Sequence, residues 1–389
     1  MNTIEKINFP YFFREKSKET APKKTVVFFG ADFRNLPIGS NQELFVKRTN
    51  QMLDYVRKNL SGYDFLYQAH PNETDEYKSL DLSGFTMGER AIAELFLFDN
   101  RDRIAFVFSA LSGASISAAA MGFPSAIFID TLHEAVPEEA IIGWKSYFAG
   151  LSNSFFIKSF DQALPKSQGV SEADEAFALS RIKTAVGDSK KVYVLAPSPD
   201  RALYGAIILN MLRKENPNLK AALIMIPHKR WNLIKNYQKI FSVFDEKILL
   251  PNDRVLYSAR PKKVIAAIKS AQNIKKFKFS EGSALISLSH MVYEEDCFFS
   301  YHREIKKILF VENRWYHFIY EEKGLIFPEK DFVVQPGVRF FNWVLAPLLG
   351  LYGTIFKEFK DGKVINLARY KKPLEEIFDA VFVIMPGKK

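Results

Sequence analysis

The feature that most constrains this chain is alternation. Short runs of β-branched and aromatic residues are separated by longer stretches with apolar residues at helical spacing, over most of its length. Strands spaced this way along a chain pair in parallel, with each helix crossing back over a sheet face. In the first half, KKTVVFF (23–29), YDFLYQ (63–68), RIAFVF (103–108) and PSAIFID (124–130) read as strands. Helices are expected near 42–60, 89–98 and 114–121, and after Pro137. The pattern restarts with KVYVLA (191–196), AALIMI (221–226), KILL (247–250) and KKFKF (275–279), with helices near 201–214, 231–244 and 261–271.

Between the halves lies the polar stretch KSQGVSEAD (166–174), followed by a further helix that ends at Gly187. The expected organisation is therefore residues 1–186 and residues 187–389, the latter ending in a less regular extension that reads as a hairpin plus helices. The expected fold class is α/β, two Rossmann-like domains facing a cleft, with ligands outside the carboxyl ends of the strands. A length of 389 residues suits two domains.

The one cysteine, Cys297, rules out an intramolecular disulfide and a cysteine-based zinc site, which fits a reducing, cytoplasmic setting. The segment MNTIEKINFPYFFREK lacks a long apolar run and is read as no secretory signal. Charge is uneven. Residues 1–185 carry 20 Lys and Arg against 23 Asp and Glu, and residues 186–389 carry 34 against 21. The basic second half is expected to meet something anionic, such as an acidic sugar, a diphosphate-linked lipid or a membrane surface. Nucleic acid is not expected, since neither zinc-finger spacing nor an RNA-binding aromatic signature is present. The run FFNWVLAPLLGLYGTIF (340–356) is too short and broken to span a bilayer. It reads either as a buried helix or as an interfacial segment touching an anionic membrane.

Five constellations stand where such a fold binds ligands. His70-Pro71 follows a strand directly, where an imidazole can donate to a phosphate oxygen. Ser109, Ser112 and Ser115 follow the next strand and open a small-residue helix, whose first-turn amides and dipole favour phosphate. Gly30 ends the first strand and permits close ligand approach. His228, Lys229, Arg230 and Asn232 follow AALIMI; cations are unusual at a helix start, which suits a sugar carboxylate or phosphate there. Ser280-Glu281-Gly282 follows KKFKF and offers a general base. Each has a plainer reading, as a turn, a helix cap or a solvated helix start.

The run VVFFG (26–30), the helix to Leu60, YDFLYQAHP (63–71), Glu94, IAFVF (104–108) and the loop Ser109–Ser115 resembles the donor domain of bacterial GT-B sialyltransferases. The resemblance covers residues 24–130. Sialyltransferases place an acceptor domain with an acidic-acidic-Gly motif first, whereas here the donor-like half leads and the nearest counterpart, Ser280-Glu281-Gly282, lacks its first acid. That order is similar to the retaining β-Kdo transferases of bacterial surface-polysaccharide assembly, which use CMP-β-Kdo. The resemblance implies a glycosyltransferase moving Kdo from CMP-Kdo to a glycan or lipid-linked glycan and releasing CMP, cytoplasmic or peripheral at the inner face of the bacterial inner membrane. CMP-sialic acid is the alternative donor, and a CMP-sugar- or lipid-binding protein without turnover the third reading. By resemblance, His70 and the serine loop hold the CMP phosphate. An Asp nucleophile is implied in the second domain, and Asn232, isosteric with Asp, stands where one is expected, as in an inactivated variant. No Asp-x-Asp pair appears, and independence of metal and of any other cofactor is expected.

Overall fold

The first strand, β1 (Thr3–Asn8), does not join the strands that follow it in sequence; it lies at the edge of a sheet built from the second half of the chain. The computed structural model describes residues 3–8, 24–33, 36–37, 39–70, 73, 76–89, 91–147, 151–164, 172–227, 231, 238–252, 255, 260–290, 292–312, 340–352, 357–360, 363–366 and 374–385. The chain divides into two compact units, one over Asn8–Glu175 and the other over Ala176–Glu322 and Glu329–Ile384 together with Met1–Ile7. The division falls inside a helix eleven residues before the join expected at 186/187, and the segment carrying β1 goes with the second unit.

The first unit is centred on β2 (Thr25–Phe29), whose five residues, TVVFF, are all buried. A strand apolar on both faces requires cover on both faces. The elements after it are α1 (Gln42–Asn59), β3 (Asp64–Gln68), β4 (Phe85–Met87), α2 (Ala93–Asp99), β5 (Ile104–Ser109), α3 (Gly113–Ala120), β6 (Ser125–Ile127) and α4 (Glu138–Tyr147). The sheet runs β4-β3-β2-β5-β6 with every pair parallel. Helix α1 starts where the Asn41 side chain accepts the Leu44 N–H at 3.0 Å. It buries Phe45, Met52, Leu53 and Val56, spaced by helical turns. The core is aromatic: Phe28 stacks on Tyr67 at 6.1 Å and on Phe128 at 6.3 Å.

The second unit contains α5 (Glu172–Val186), β7 (Lys191–Ala196), α6 (Pro199–Glu215), β8 (Lys220–Met225), α7 (Gln238–Phe241), β9 (Glu246–Leu249), α8 (Pro261–Lys275), β10 (Ser283–Ser287), α9 (Tyr293–Tyr301) and β11 (Lys306–Glu312). There follow α10 (Ala346–Leu349), the antiparallel hairpin β12 (Lys357–Lys360) and β13 (Lys363–Asn366), α11 (Leu374–Ile377) and β14 (Ala380–Met385). The sheet order is β1-β14-β11-β10-β7-β8-β9, and the pairs from β14 to β9 are parallel. In chain order the six parallel strands stand 6-5-4-1-2-3, the doubly wound arrangement, and the first sheet stands 3-2-1-4-5. The chain is thus α/β with two Rossmann-like units.

Two expectations are corrected. KKFKF is not a strand: α8 continues through Lys275, and residues 276–280 form a loop. Its alternation arises because Phe277 and Phe279 anchor that loop, Phe277 packing on Phe298 at 5.5 Å and Phe279 on Tyr193 at 4.9 Å. The real strand, β10, follows Gly282, which turns the chain with φ +68°. Nor do the described residues of the 340–356 run form a buried helix. Phe341–Leu345 is a π-helical turn leading into α10, and Trp343, Val344 and Leu348 are exposed. Among the described residues, no helix is long and apolar enough to cross a membrane.

Candidate functional site

In a doubly wound sheet the central pair of strands sends its crossovers to opposite sides, which opens a crevice outside the carboxyl ends of that pair. In the first unit this switch point lies between β2 and β5. Phe29 is in register with Gln68 and with Ser109, so Gly30, Ala69-His70 and Ala110 leave the sheet along one edge.

His70 is partly exposed, and Asp32 Oδ2 lies 4.0 Å from its Nδ1. Burial lowers the pKa of His70 below the ordinary 6.5, and the Asp32 charge opposes that shift without cancelling it. At pH 7 that shift favours the neutral imidazole. Its turn is held from below by Glu73, which is fully buried. The His70 N–H donates to Glu73 Oε2 at 3.0 Å, the Glu73 N–H donates to the His70 carbonyl at 2.9 Å, and the Tyr67 hydroxyl donates to Glu73 Oε1 at 2.9 Å. Burial and the Glu73 charge push the Tyr67 phenol well above its ordinary range. Asp32 and Glu73 had no part in the sequence expectation. The signal for Glu73 was present, because acid three residues after a turn residue is the spacing of a capping box.

The glycine at Gly30 has a different reason from the one expected. A Cβ there would collide with Glu73 Oε2 and Tyr67 Oη, so the glycine makes room for the buried Tyr67–Glu73 pair. The serine loop also has partners of its own. Ser109 and Ser115 are fully buried and their hydroxyls bond each other at 2.6 Å, while the Ser112 N–H donates to Ser109 Oγ at 3.2 Å. Ser112 caps α3, accepting the Ala114 N–H at 3.2 Å. These hydroxyls set the loop; the Ala114 and Ser115 N–H groups are bonded to Ser112, and what the first turn of α3 leaves is the Gly113 N–H and the positive dipole end.

Glu281 belongs to the opposite edge of the other sheet. Ser283 pairs with Lys191, the first residues of β10 and β7, so the exposed turn carrying Glu281 lies at the amino ends of the strands. The Ser280 hydroxyl is fixed there, 3.0 Å from Tyr193 Oη. The premise of a carboxylate at a strand's carboxyl end fails because the strand follows Glu281. Pro71, His228, Lys229, Arg230 and Asn232 lie outside the described residues.

The second unit has its own switch point, between β7 and β10, that sequence reading missed. After β7 come Ser198, Asp200 and Arg201, after β10 Ser289 and His290, and β11 ends at Glu312. Arg201 Nη1 lies 2.7 Å from Glu312 Oε1, and Arg201 Nε 3.5 Å from Asp200 Oδ2. Burial disfavours the Arg201 charge, but Glu312 and Asp200 outweigh it and raise its pKa. Behind them Glu295 accepts from the hydroxyls of Ser289 and Ser287 and from the Val292 N–H at 3.1 Å. His290 is packed edge-on against Phe299 and Phe378, and burial lowers its pKa to about 4. A cavity of about 440 Å³ lies elsewhere, at the amino edge of this sheet, lined by Leu179, Lys183, Val186, Gly187, Leu212 and Asn216 among others. Among the described residues, no group of three or more His, Cys, Asp or Glu is placed to hold a metal ion.

No protein-family model matches the chain, and no curated protein matches it. Among solved structures, the crystal structure of a UDP-GlcNAc 2-epimerase from Neisseria meningitidis bound to UDP-GlcNAc aligns over 74% of this chain and 82% of its own, at 11% identity and a TM-score of 0.22. A glycosyltransferase from Rickettsia africae ESF-5 aligns over 75% and 80%, at 8% identity and a TM-score of 0.21. Similarity at that level carries neither family nor substrate to this chain.

Proposed function

We propose that this chain is a glycosyltransferase whose donor is an acidic sugar activated by CMP, with CMP-Kdo the first candidate and CMP-sialic acid the second. The observation that supports it best is the first unit's switch point. There a half-buried imidazole steadied by a carboxylate shares one sheet edge with the start of a serine-capped helix. These are groups that stabilise charge developing on a departing phosphate without a metal. In this reading the Gly113 N–H and the positive end of α3 hold the CMP phosphate and His70 hydrogen-bonds to its oxygens. A bound anion favours imidazolium, so CMP affinity rises as pH falls from 7.5 to 6.

The test is calorimetric titration with CMP at both pH values, with turnover of CMP-Kdo and CMP-sialic acid measured side by side. His70→Ala is expected to flatten the pH dependence. An unchanged pH profile in His70→Ala, or no CMP binding, removes the reading. Position 232 keeps its proposed place as the nucleophile's position. Asn232→Asp is expected to raise CMP-Kdo turnover in the presence of a matched acceptor; CMP binding with no turnover in either form favours a binding protein without chemistry.

The acceptor is proposed to be a glycan at or near an anionic membrane. Trp343, Val344 and Leu348, the last 76% exposed, project from the turn Phe341–Leu349. The guanidinium of Arg303 lies 5.7 Å from the ring of Tyr352, just beyond it. Apolar and aromatic side chains beside cations suit the headgroup boundary of a charged bilayer. Flotation with phosphatidylglycerol vesicles is expected to carry the protein up at low salt. Trp343→Ser/Leu348→Ser is expected to stay at the bottom, and equal flotation of the two discards this surface.

A further inference from the structure

Helix α8 carries a row of cations that the fold itself does not use. Between Asp253 and Glu281 the chain holds eight Lys and Arg and no acid. Six of them, Lys262, Lys263, Lys269, Lys275, Lys276 and Lys278, are exposed, and no carboxylate among the described residues pairs with any of the six. Other lysines of the same unit do pair, Lys183 with Glu215 and Lys191 with Glu246. Helix stability accounts for only part of the row. Lys275 and Lys276 sit at the carboxyl end of α8, where a cation favours the helix dipole. Lys262 and Lys263 stand in the first turn, where a cation opposes it, and no acid stands in that turn to offset them.

The helix buries Ala267, Ser270, Ala271 and Ile274. Helical spacing puts Lys262, Ile265, Lys269, Gln272 and Lys276 along the opposite ridge, with the lysines about 10 Å apart. Ile265, between the first two, is 52% exposed. At its carboxyl end the ridge reaches the exposed apolar turn of Trp343 and Leu348. Lys275 Nζ lies 5.7 Å from the centre of the Tyr301 ring, and the Tyr301 hydroxyl donates to the Leu349 carbonyl at 3.0 Å. A single-stranded polyanion is held in a groove with stacking aromatics, and this surface is a helix crest. A duplex offers phosphates but no apolar layer for Ile265, whereas a bilayer offers both. We propose that the α8 ridge lies flat against an anionic lipid bilayer, with Lys262, Lys269 and Lys276 meeting lipid phosphates and Ile265 entering the headgroup boundary. This contact deepens the membrane part of the proposed function and rests on it; the donor sugar has no part in it.

The test is flotation of the full chain with vesicles of phosphatidylcholine and phosphatidylglycerol in equal parts, against phosphatidylcholine alone. The wild type is expected to float with the anionic vesicles at low salt and to lose that binding at high salt. Lys262→Glu/Lys269→Glu/Lys276→Glu is expected to lower the partition coefficient about tenfold or more, and the corresponding triple Arg variant to keep it. Ile265→Ser is expected to lower it a few-fold. Lys24→Glu/Lys47→Glu/Lys58→Glu, the same charge change on exposed lysines of the first unit, is expected to float like the wild type. The unfolding midpoint checks that each variant folds. Equal loss in the two Glu variants would make binding a matter of net charge and overturn the site. Equal flotation of the wild type and the α8 Glu variant overturns the ridge and leaves the turn at Trp343 and Leu348 as the membrane contact. Loss in the α8 variant with none in Trp343→Ser/Leu348→Ser keeps the ridge and discards that turn. A wild type that stays at the bottom with both vesicles removes both contacts. Duplex DNA bound through the same lysines, with vesicles left unbound, assigns the ridge to nucleic acid and overturns the proposal.

Discussion

The two switch points use the same topology for different purposes. In the first unit Ser109 bonds Ser115, Ser112 caps its helix, and Glu73 takes both Tyr67 and the His70 amide, while Gln68 Oε1 at the end of β3 is buried without a hydrogen-bond partner. What is left facing outward is an imidazole and a helix start, both suited to an anion. In the second unit the edge is built from opposed charges, Arg201 against Glu312 and Asp200.

The sharpest way to break this comparison is Arg201→Ala. It leaves two mostly buried carboxylates without their cation, and removing one partner of such a pair costs about 3–5 kcal/mol. Urea unfolding is expected to show that loss, and a loss below about 1 kcal/mol would mean the second edge is not organised by charge. Next comes His290. Its folded pKa of about 4 lies below its unfolded value of about 6.5, so the unfolded chain binds more protons between the two. Stability is full above pH 6.5 and falls as pH drops toward 4, by about 3 kcal/mol. His290→Leu is expected to flatten that part of the pH–stability curve.

His70→Ala ranks third. It is expected to lower donor turnover by ~10²-fold, equivalent to about 2.7 kcal/mol, with little change in unfolding because the side chain is partly exposed. The smallest effect belongs to Ser112→Ala. Loss of an N-cap costs about 1 kcal/mol, and thermal unfolding is expected to show it. Because the same variant leaves the α3 amides in place, donor binding should weaken far less than in His70→Ala; an equal loss would make the Ser112 hydroxyl a direct ligand contact.

The sequence made the doubly wound strands legible wherever burial on both faces writes a continuous apolar run, as in TVVFF and KVYVLA. It hid β1, whose TIEKIN pairs with the sheet of the other half, and β10, preceded by the more strand-like KKFKF. His70 was legible because its place depends only on the strand just before it. Arg201 and Glu312 were not, since 111 residues separate them and only the sheet order brings their strands to one edge. Asp200 looks like part of an ordinary helix start in sequence, and only the buried, unpartnered Oδ1 distinguishes it. The misplacement of Glu281 has the same origin: one misread strand reverses which sheet edge a neighbouring residue occupies.

Crystals soaked with CMP test the central claim most directly. The account predicts the phosphate within hydrogen-bond distance of the Gly113 N–H at the start of α3 and of His70, in the first unit. CMP bound in the second unit, away from His70, would contradict it.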